Sequence, residues 1–327
     1  MALRRWLHTL SAKLGRPKYL VLLDTTNGCN LRCTFCTRDN AKIQQMTTPE
    51  LDCILGKLRG HISSLQLSCA WEYSVARNAA GIVRMVGKYR IPSTSIYTNG
   101  NILTDEIAEA LIEARLNDFV VSIGETKRET YENLRRGGSF ERVIANVKKL
   151  AALKKERNSP LPLICANLTV VNSNIAQLPD FVELAHSIGI GRIVGRHLIL
   201  NEGLDMSLET ISDKARANEI IDAAEARARA VGMEFSVPRY RDAAEPRNCR
   251  APWGQLYIGS NGDVSVCPRI HLYAKLGNLL DESFQSVMEG KEMKSLKQQF
   301  NEGRFENPVC RVCMAGLETE LPIEQGF

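Results

Sequence analysis

No run of about 18 uninterrupted apolar residues occurs in this sequence, so nothing in it reads as a membrane span. The start lacks the apolar core and small-residue cleavage site of a secretory signal. Acids are missing from the first 18 residues, which carry Arg4, Arg5, Lys13, Arg16 and Lys18. That local +5 equals the net charge of the whole 327-residue chain, so the remainder is neutral and offers nucleic acid no broad basic face. Aromatic residues are sparse at 6%, and there is no repeat or low-complexity linker. Trp6, Leu7, Leu10 and Leu14 fall at helical spacing, so residues 1–17 read as a basic amphipathic helix. The expected setting is the cytoplasm.

Cysteine, by contrast, is plentiful: the chain has ten. In a reducing compartment such numbers point to metal or redox chemistry rather than disulfides. Three of them, Cys29, Cys33 and Cys36, stand at C-x3-C-x2-C spacing in a loop after a short apolar strand. A structural zinc site wants four ligands in paired spacing, which this loop does not offer. A c-type haem needs His after C-x-x-C, and Thr37 stands there. Three thiolates on one loop suit a cubane cluster with one iron left open, which a small molecule can chelate through an amine and a carboxylate. Phe35, between the last two cysteines, would shield it.

From Tyr19 to Val231 the pattern alternates short apolar strands with amphipathic helices. Strands are expected at Tyr19–Thr25, Leu65–Cys69, Pro92–Thr98, Phe119–Ile123, Leu163–Val171 and Ile193–Leu200. Thr48-Pro49-Glu50 reads as a helix start with Thr48 as the cap. Six βα units imply an α/β fold with a parallel sheet, curled into an open barrel with ligands at the carboxyl ends of its strands. On the fifth strand Ile164, Ala166, Leu168 and Val170 would face helices, and Cys165, Asn167 and Thr169 the lumen.

After residue 235 this rhythm stops. Gln255–Ile258, a Ser260-Asn261-Gly262-Asp263 turn and Val264–Cys267 read as a hairpin that brings Cys249 and Cys267 together. A helix over about Glu282–Phe300 follows, then Cys310-x2-Cys313. Four thiolates arranged this way make a closed site that suits zinc and iron–sulfur equally well by spacing alone.

The cysteine loop, with its aromatic residue just before the last Cys, resembles the radical S-adenosylmethionine (radical SAM) superfamily. The resemblance implies a partial (β/α)6 barrel over about 18–235 and a [4Fe–4S] cluster that chelates and reductively splits SAM. It also implies a reductase, flavodoxin or ferredoxin as electron donor. Carried over by position, it puts Glu72 on the SAM amine, although the family's Gly-Gly-Glu-Pro-like turn reads Ser68-Cys69-Ala70-Trp71-Glu72-Tyr73 here. Thr98, Asn99, Ser122 and Arg136 match further SAM-site positions, with Arg135 and Arg136 opening an Arg-x-Gly-Gly-Ser-Phe-like stretch, and Asn174 matches a nucleoside contact. Residues 236–327 resemble the SPASM/twitch extension, through Cys249-x2-Pro-Trp253, Gly262-x4-Cys267 and Gly277-Asn278. That resemblance implies one auxiliary [4Fe–4S] cluster on Cys249, Cys267, Cys310 and Cys313, as in the twitch form of an aminocyclitol dehydrogenase.

A cluster with no open iron is suited to taking or relaying one electron, which favours dehydrogenation, whereas epimerisation needs a hydrogen-donating thiol. Cys69 and Cys165 are the thiol candidates, and Glu125 or His197 the proton acceptors. Asp24, Tyr97, Asn167 and Arg196 are further lumen candidates, and Cys53 an exposed bystander. The expected function is a radical SAM oxidoreductase acting on a small polar metabolite, of sugar or aminocyclitol type. A peptide-modifying radical enzyme and a non-catalytic electron-transfer protein are the rivals.

Overall fold

The computed structural model describes residues 17–36, 43–198, 205–241, 248–271 and 274–315. The helix expected over 1–17 therefore lies outside the described residues, apart from its last position. In chain order the strands are β1 (Tyr19–Leu23), β2 (Arg32–Cys33), β3 (Ile62–Leu67), β4 (Thr94–Thr98), β5 (Asp118–Val121) and β6 (Arg135–Arg136). They continue with β7 (Leu163–Val170), β8 (Arg192–His197), β9 (Glu234–Ser236), β10 (Gln255–Ile258), β11 (Asp263–Ser265) and β12 (Gly277–Asn278).

The six strands read from the sequence pair in parallel, in the order β1, β3, β4, β5, β7, β8. Right-handed βαβ crossovers of this kind keep the helices outside. The short β9 extends the row beyond β8, also in parallel. At the other end β10 pairs in parallel with β1, Leu22 opposite Tyr257. The sheet therefore stays open, an incomplete barrel whose first strand is capped by the C-terminal hairpin β10–β11. The hairpin turn ends at Gly262, whose φ of +83° lies in the left-handed region that favours glycine.

Each helix is placed by its apolar stripe. The helix Thr48–Lys57 buries Leu51, Ile54 and Leu55 and leaves Cys53 exposed. Its cap is Thr47, one residue earlier than expected: Glu50 N–H donates to the Thr47 hydroxyl while Thr47 N–H donates to the Glu50 carboxylate at 2.7 Å. On β7, Ile164, Ala166, Leu168 and Val170 are all at most 1% exposed, as the alternation predicts. Burial of such side chains supplies roughly 1.5–3 kcal/mol each. The helix expected over 282–300 is broken in two, Phe284–Glu289 and Lys291–Glu302, because Gly290 takes an extended conformation between them. Among the described residues no helix is long and apolar enough to cross a membrane.

Candidate functional site

The cysteine loop leaves β1 at its carboxyl end and is pinned by a ladder across the top of the sheet. β2 pairs antiparallel with β6, Cys33 opposite Arg135 and Arg32 opposite Arg136, and Thr34 N–H donates to Leu134 O at 2.9 Å. The guanidinium of Arg135 sits 5.6 Å from the Phe35 ring centroid and 5.3 Å from that of Tyr131. Its partner is Glu125, at 2.7 Å, and both side chains are at most 3% exposed. Burial works against the Arg135 charge, but Glu125, Tyr131 and Cys33 outweigh it, so its pKa is raised.

The Cys29 thiol of this loop is met by donors. Leu31 N–H points at Cys29 Sγ at 3.5 Å, and Asn99 Nδ2 lies 4.0 Å from the same sulfur while donating to Asn30 at 2.8 Å. Thiolates facing N–H groups beside a cation suit an anionic iron–sulfur cluster.

Next to it lies the loop after β3. Ser68 has φ +62°, a conformation that costs a non-glycine residue roughly 1–2 kcal/mol. Its hydroxyl offsets this by accepting from Tyr73 N–H at 3.1 Å and donating to the Trp71 carbonyl. The N–H groups of Cys69 and Ala70 converge on the buried Asp24 carboxylate at 2.7 and 3.1 Å. Asp24 is therefore an anchor of this loop and not a substrate contact. Burial pushes its pKa up, while the bonds from Tyr257, Ala70, Cys69 and Trp71 pull it back in part.

Glu72 differs from its expected role in the same way. Its carboxylate accepts from Ser74 N–H at 3.2 Å, Ser74 Oγ at 2.7 Å, Thr98 Oγ1 at 2.8 Å and Asn99 N–H at 2.6 Å. Three of these bonds fall on Oε1 and one on Oε2, and the residue is 2% exposed. It welds the ends of β3 and β4 together and does not reach outward; burial raises its pKa against those bonds. Asn174 is likewise spent internally, donating to Glu125 at 3.1 Å and Thr169 O at 2.9 Å and accepting from Val171 N–H. Glu125, with Arg135, Asn174 and Gly124 N–H on its oxygens, is a buried structural carboxylate and not a poised base. Gly124 can sit there because a Cβ would come within 2.5 Å of Leu168.

Two candidates sit elsewhere. His197 lies on the face of β8 away from the lumen, stacked on Tyr240 at 3.8 Å with Nε2 2.8 Å from the Pro238 carbonyl. Strand alternation explains this, since Arg196 takes the lumen side. Cys165 does face inward, but at the amino end of the strands, 3.9 Å from Asp118 and 3.8 Å from Arg192. Burial, reinforced by Asp118, pushes its thiol up to about 12. Cys69, Ser122 and Arg136 are at the carboxyl end, with Cys69 and Ser122 half-buried and Arg136 exposed.

The second cysteine set converges without sequence proximity. Cys249, Cys267, Cys310 and Cys313 line one cavity of about 40 Å3, together with Arg269, Ile270, Phe300 and Val309. Arg269 Nη1 is 3.9 Å from Cys313 Sγ, and Ala251 N–H points at Cys249 Sγ at 3.4 Å. Among the described residues no three potential ligands approach closely enough to share a single metal ion. Four thiols lining one cavity make a closed ligand set of the kind that holds an iron–sulfur cluster or zinc. Burial pushes the Cys310 thiol up to about 12 and raises that of Cys267, with the neighbouring thiols adding to both.

Comparison with known proteins bears on both sites. A model described as the Radical SAM superfamily matches residues 23–185, and one described as an iron–sulfur cluster-binding domain (SPASM) matches 249–314. A probable GTP 3′,8-cyclase of Methanocaldococcus jannaschii is 30% identical over 181 residues, 54% of this chain and 58% of that protein, so the chain spans under two thirds of that relative's length. The AdoMet-dependent heme synthase of Methanosarcina barkeri is 25% identical over 84% of this chain and 83% of its own length. The PqqA peptide cyclase of Gluconobacter oxydans is 24% identical over 78% of this chain and 71% of its own. Streptococcus suis SuiB bound to S-adenosylmethionine superposes with TM-score 0.71 at 16% identity, covering 98% of this chain and 76% of that one. BtrN in complex with AdoMet and 2-DOIA gives 0.51 at 14% identity, covering 94% and 98%. At these identities the two structures speak to fold.

Proposed function

For a chain that belongs to the radical SAM superfamily and carries a SPASM-type iron–sulfur domain, we propose the modification of a peptide at an unactivated C–H. The small-metabolite substrate expected from the sequence becomes the second reading. What supports the change of order is likeness to a peptide cyclase over 78% of this chain, together with a fold neighbour, SuiB bound to precursor peptide SuiA, that covers 97% of it. Likeness to the GTP cyclase stops at 54%. The second reading keeps its support from the heme synthase, whose similarity is as extensive.

The cofactors are a [4Fe–4S] cluster with SAM, and auxiliary iron–sulfur. In our assignment Cys29, Cys33 and Cys36 hold the first, and Cys249, Cys267, Cys310 and Cys313 the second. Together these groups supply a 5′-deoxyadenosyl radical for hydrogen abstraction and a one-electron acceptor. The chain's own residues orient SAM. Because Asp24 draws in the N–H groups of Cys69, Ala70 and Trp71, planar trans peptides turn the preceding carbonyls of this loop the other way. Those carbonyls suit an ammonium group, the role the sequence suggested for Glu72. Asn99 and Arg135 steady the cysteine loop, and Ser122 and Arg136 stand at the rim for the SAM carboxylate and ribose. Cys69 is the thiol placed for hydrogen donation. An electron donor of flavodoxin or ferredoxin type and a cytoplasmic setting complete the proposal.

The test is 5′-deoxyadenosine formation by the reconstituted, reduced protein with peptide pools and with sugar-like pools. Stimulation by peptides is expected; stimulation confined to the small molecules would overturn the peptide reading.

A further inference from the structure

Among the described residues, the lumen at the carboxyl end of the sheet has an unbalanced charge. Its described carboxylates are spent: Asp24 on the 69–71 loop, Glu72 on β4, Glu125 on Arg135. Two other sheet arginines are neutralised, Arg135 by Glu125 and Arg192 by Asp118 and Glu234. Arg196 is different. It stands on the lumen face of β8, opposite Thr169 in the register, and no carboxylate among the described residues pairs with it. Its bond is to an amide: Arg196 Nη2 donates to Asn167 Oδ1 at 3.1 Å. A guanidinium only donates, so the oxygen of Asn167 is fixed toward it and the amide nitrogen is left to donate elsewhere. Tyr97 lies on the same face of the sheet, since it pairs with Val120 and Val120 with Cys165. Burial pushes its hydroxyl up, and the positive charge of Arg196 pulls it back. Asn167 and Tyr97 are half-buried, and Arg196 is exposed.

We propose that Arg196, oriented by Asn167, binds a carboxylate carried by the substrate. The proposal rests on the peptide reading and narrows it to peptides presenting an acidic side chain near the reacting carbon. A planar fork of donors matches a carboxylate in two bonds, and lysine would not reproduce that geometry.

The reconstituted, SAM-loaded holoenzyme is assayed for 5′-deoxyadenosine with random octapeptides, acetylated and amidated, with or without Asp and Glu. A third set lacks acids but has a free C-terminus. The acid-bearing set is expected to give the lowest KM. Arg196→Gln should raise that KM about ten-fold or more, as loss of a charge-assisted bond implies. kcat should stay within about two-fold, Arg196→Lys should restore part of the loss, and SAM binding should be unchanged. Equal use of acid-free amidated peptides overturns the anion site while leaving the peptide reading intact. Preference for the free C-terminus keeps the anion site and removes the acidic side chain. Turnover of small carboxylic acids alone, still dependent on Arg196, keeps the site and removes the peptide. Weakened SAM binding in Arg196→Gln with unchanged substrate KM overturns the proposal in favour of a nucleoside contact. Independently of turnover, glutarate should protect Arg196 from phenylglyoxal, read by peptide mass spectrometry, where glutaramide does not; equal labelling in both overturns it.

Discussion

Tyr257 Oη donates to Asp24 Oδ2 at 2.8 Å, across 233 positions of sequence. The donor belongs to β10, in the region matched by the SPASM model; the acceptor stands at the end of β1 and holds the 69–71 loop. From Tyr257 the contact runs on to the His271 ring at 4.9 Å, and His271 Nδ1 lies 2.7 Å from the carbonyl of Pro268, next to Cys267. The two cysteine sites are thus joined by packed side chains.

Tyr257→Phe removes one donor from a buried carboxylate. Loss of stability by about 1–3 kcal/mol is expected, because the acceptor stays buried. SAM affinity should fall with it, since the loop anchored by Asp24 loosens. Urea unfolding and SAM titration of the reconstituted protein check both; unchanged values would show that Asp24 holds the loop unaided.

Arg135→Leu leaves Glu125 as an uncompensated buried charge and should cost about 3–5 kcal/mol. The double variant Arg135→Leu with Glu125→Leu should recover a large part of this. Iron retention in the single variant should drop as well, because Cys33 is laddered to Arg135. A single-variant loss below about 1 kcal/mol would mean that the pair is solvated and not buried.

Metal content separates the two sites. Replacing Cys29, Cys33 and Cys36 together by Ala should take roughly eight irons per chain to about four, and replacing the C-terminal four should do the same. Iron and sulfide counting with Mössbauer spectroscopy reads the result. Zinc in the C-terminal site would remove its electron-accepting role.

Alkylation should distinguish the remaining thiols. Cys53 is exposed, while Cys165 is buried with its pKa pushed up to about 12. Iodoacetamide at mildly alkaline pH should label Cys53 on the reconstituted protein and spare Cys165, as mass spectrometry would show. Rapid labelling of Cys165 would put it back among the reactive residues.

His197 gives a pH signature. Burial lowers its pKa from the ordinary 6.5, and the Pro238 carbonyl opposes this only in part. The unfolded chain therefore takes up the proton first as pH falls. The stability tied to neutral His197 is complete above about 6.5 and is lost as pH falls through the lowered folded-state value. Thermal unfolding between about pH 7.5 and 5.5 should be steeper in wild type than in His197→Gln.

Much of this was legible locally. The order of six parallel strands follows from apolar runs alternating with amphipathic helices, and the faces of β7 from its two-residue period. Gly262 marked the hairpin turn because few other residues accept its backbone angle. The extended break at Gly290 was missed, since an apolar stripe on either side reads as one helix.

The residues by themselves pointed to Cys29, Cys33 and Cys36 as one set, for spacing over a few positions is a property of the local chain, while Cys249, Cys267, Cys310 and Cys313 come to line one cavity only in the fold. Tertiary structure decided what each polar group does. Glu72, Glu125 and Asn174 look like functional groups in sequence, yet their partners arrive from elsewhere in the chain and consume them. Arg196 is exposed on the lumen face, where the neighbouring strand β7 brings it an amide and, among the described residues, no acid. A carboxylate's role depends on how many donors surround it in space, and that count is fixed only once distant strands have come together.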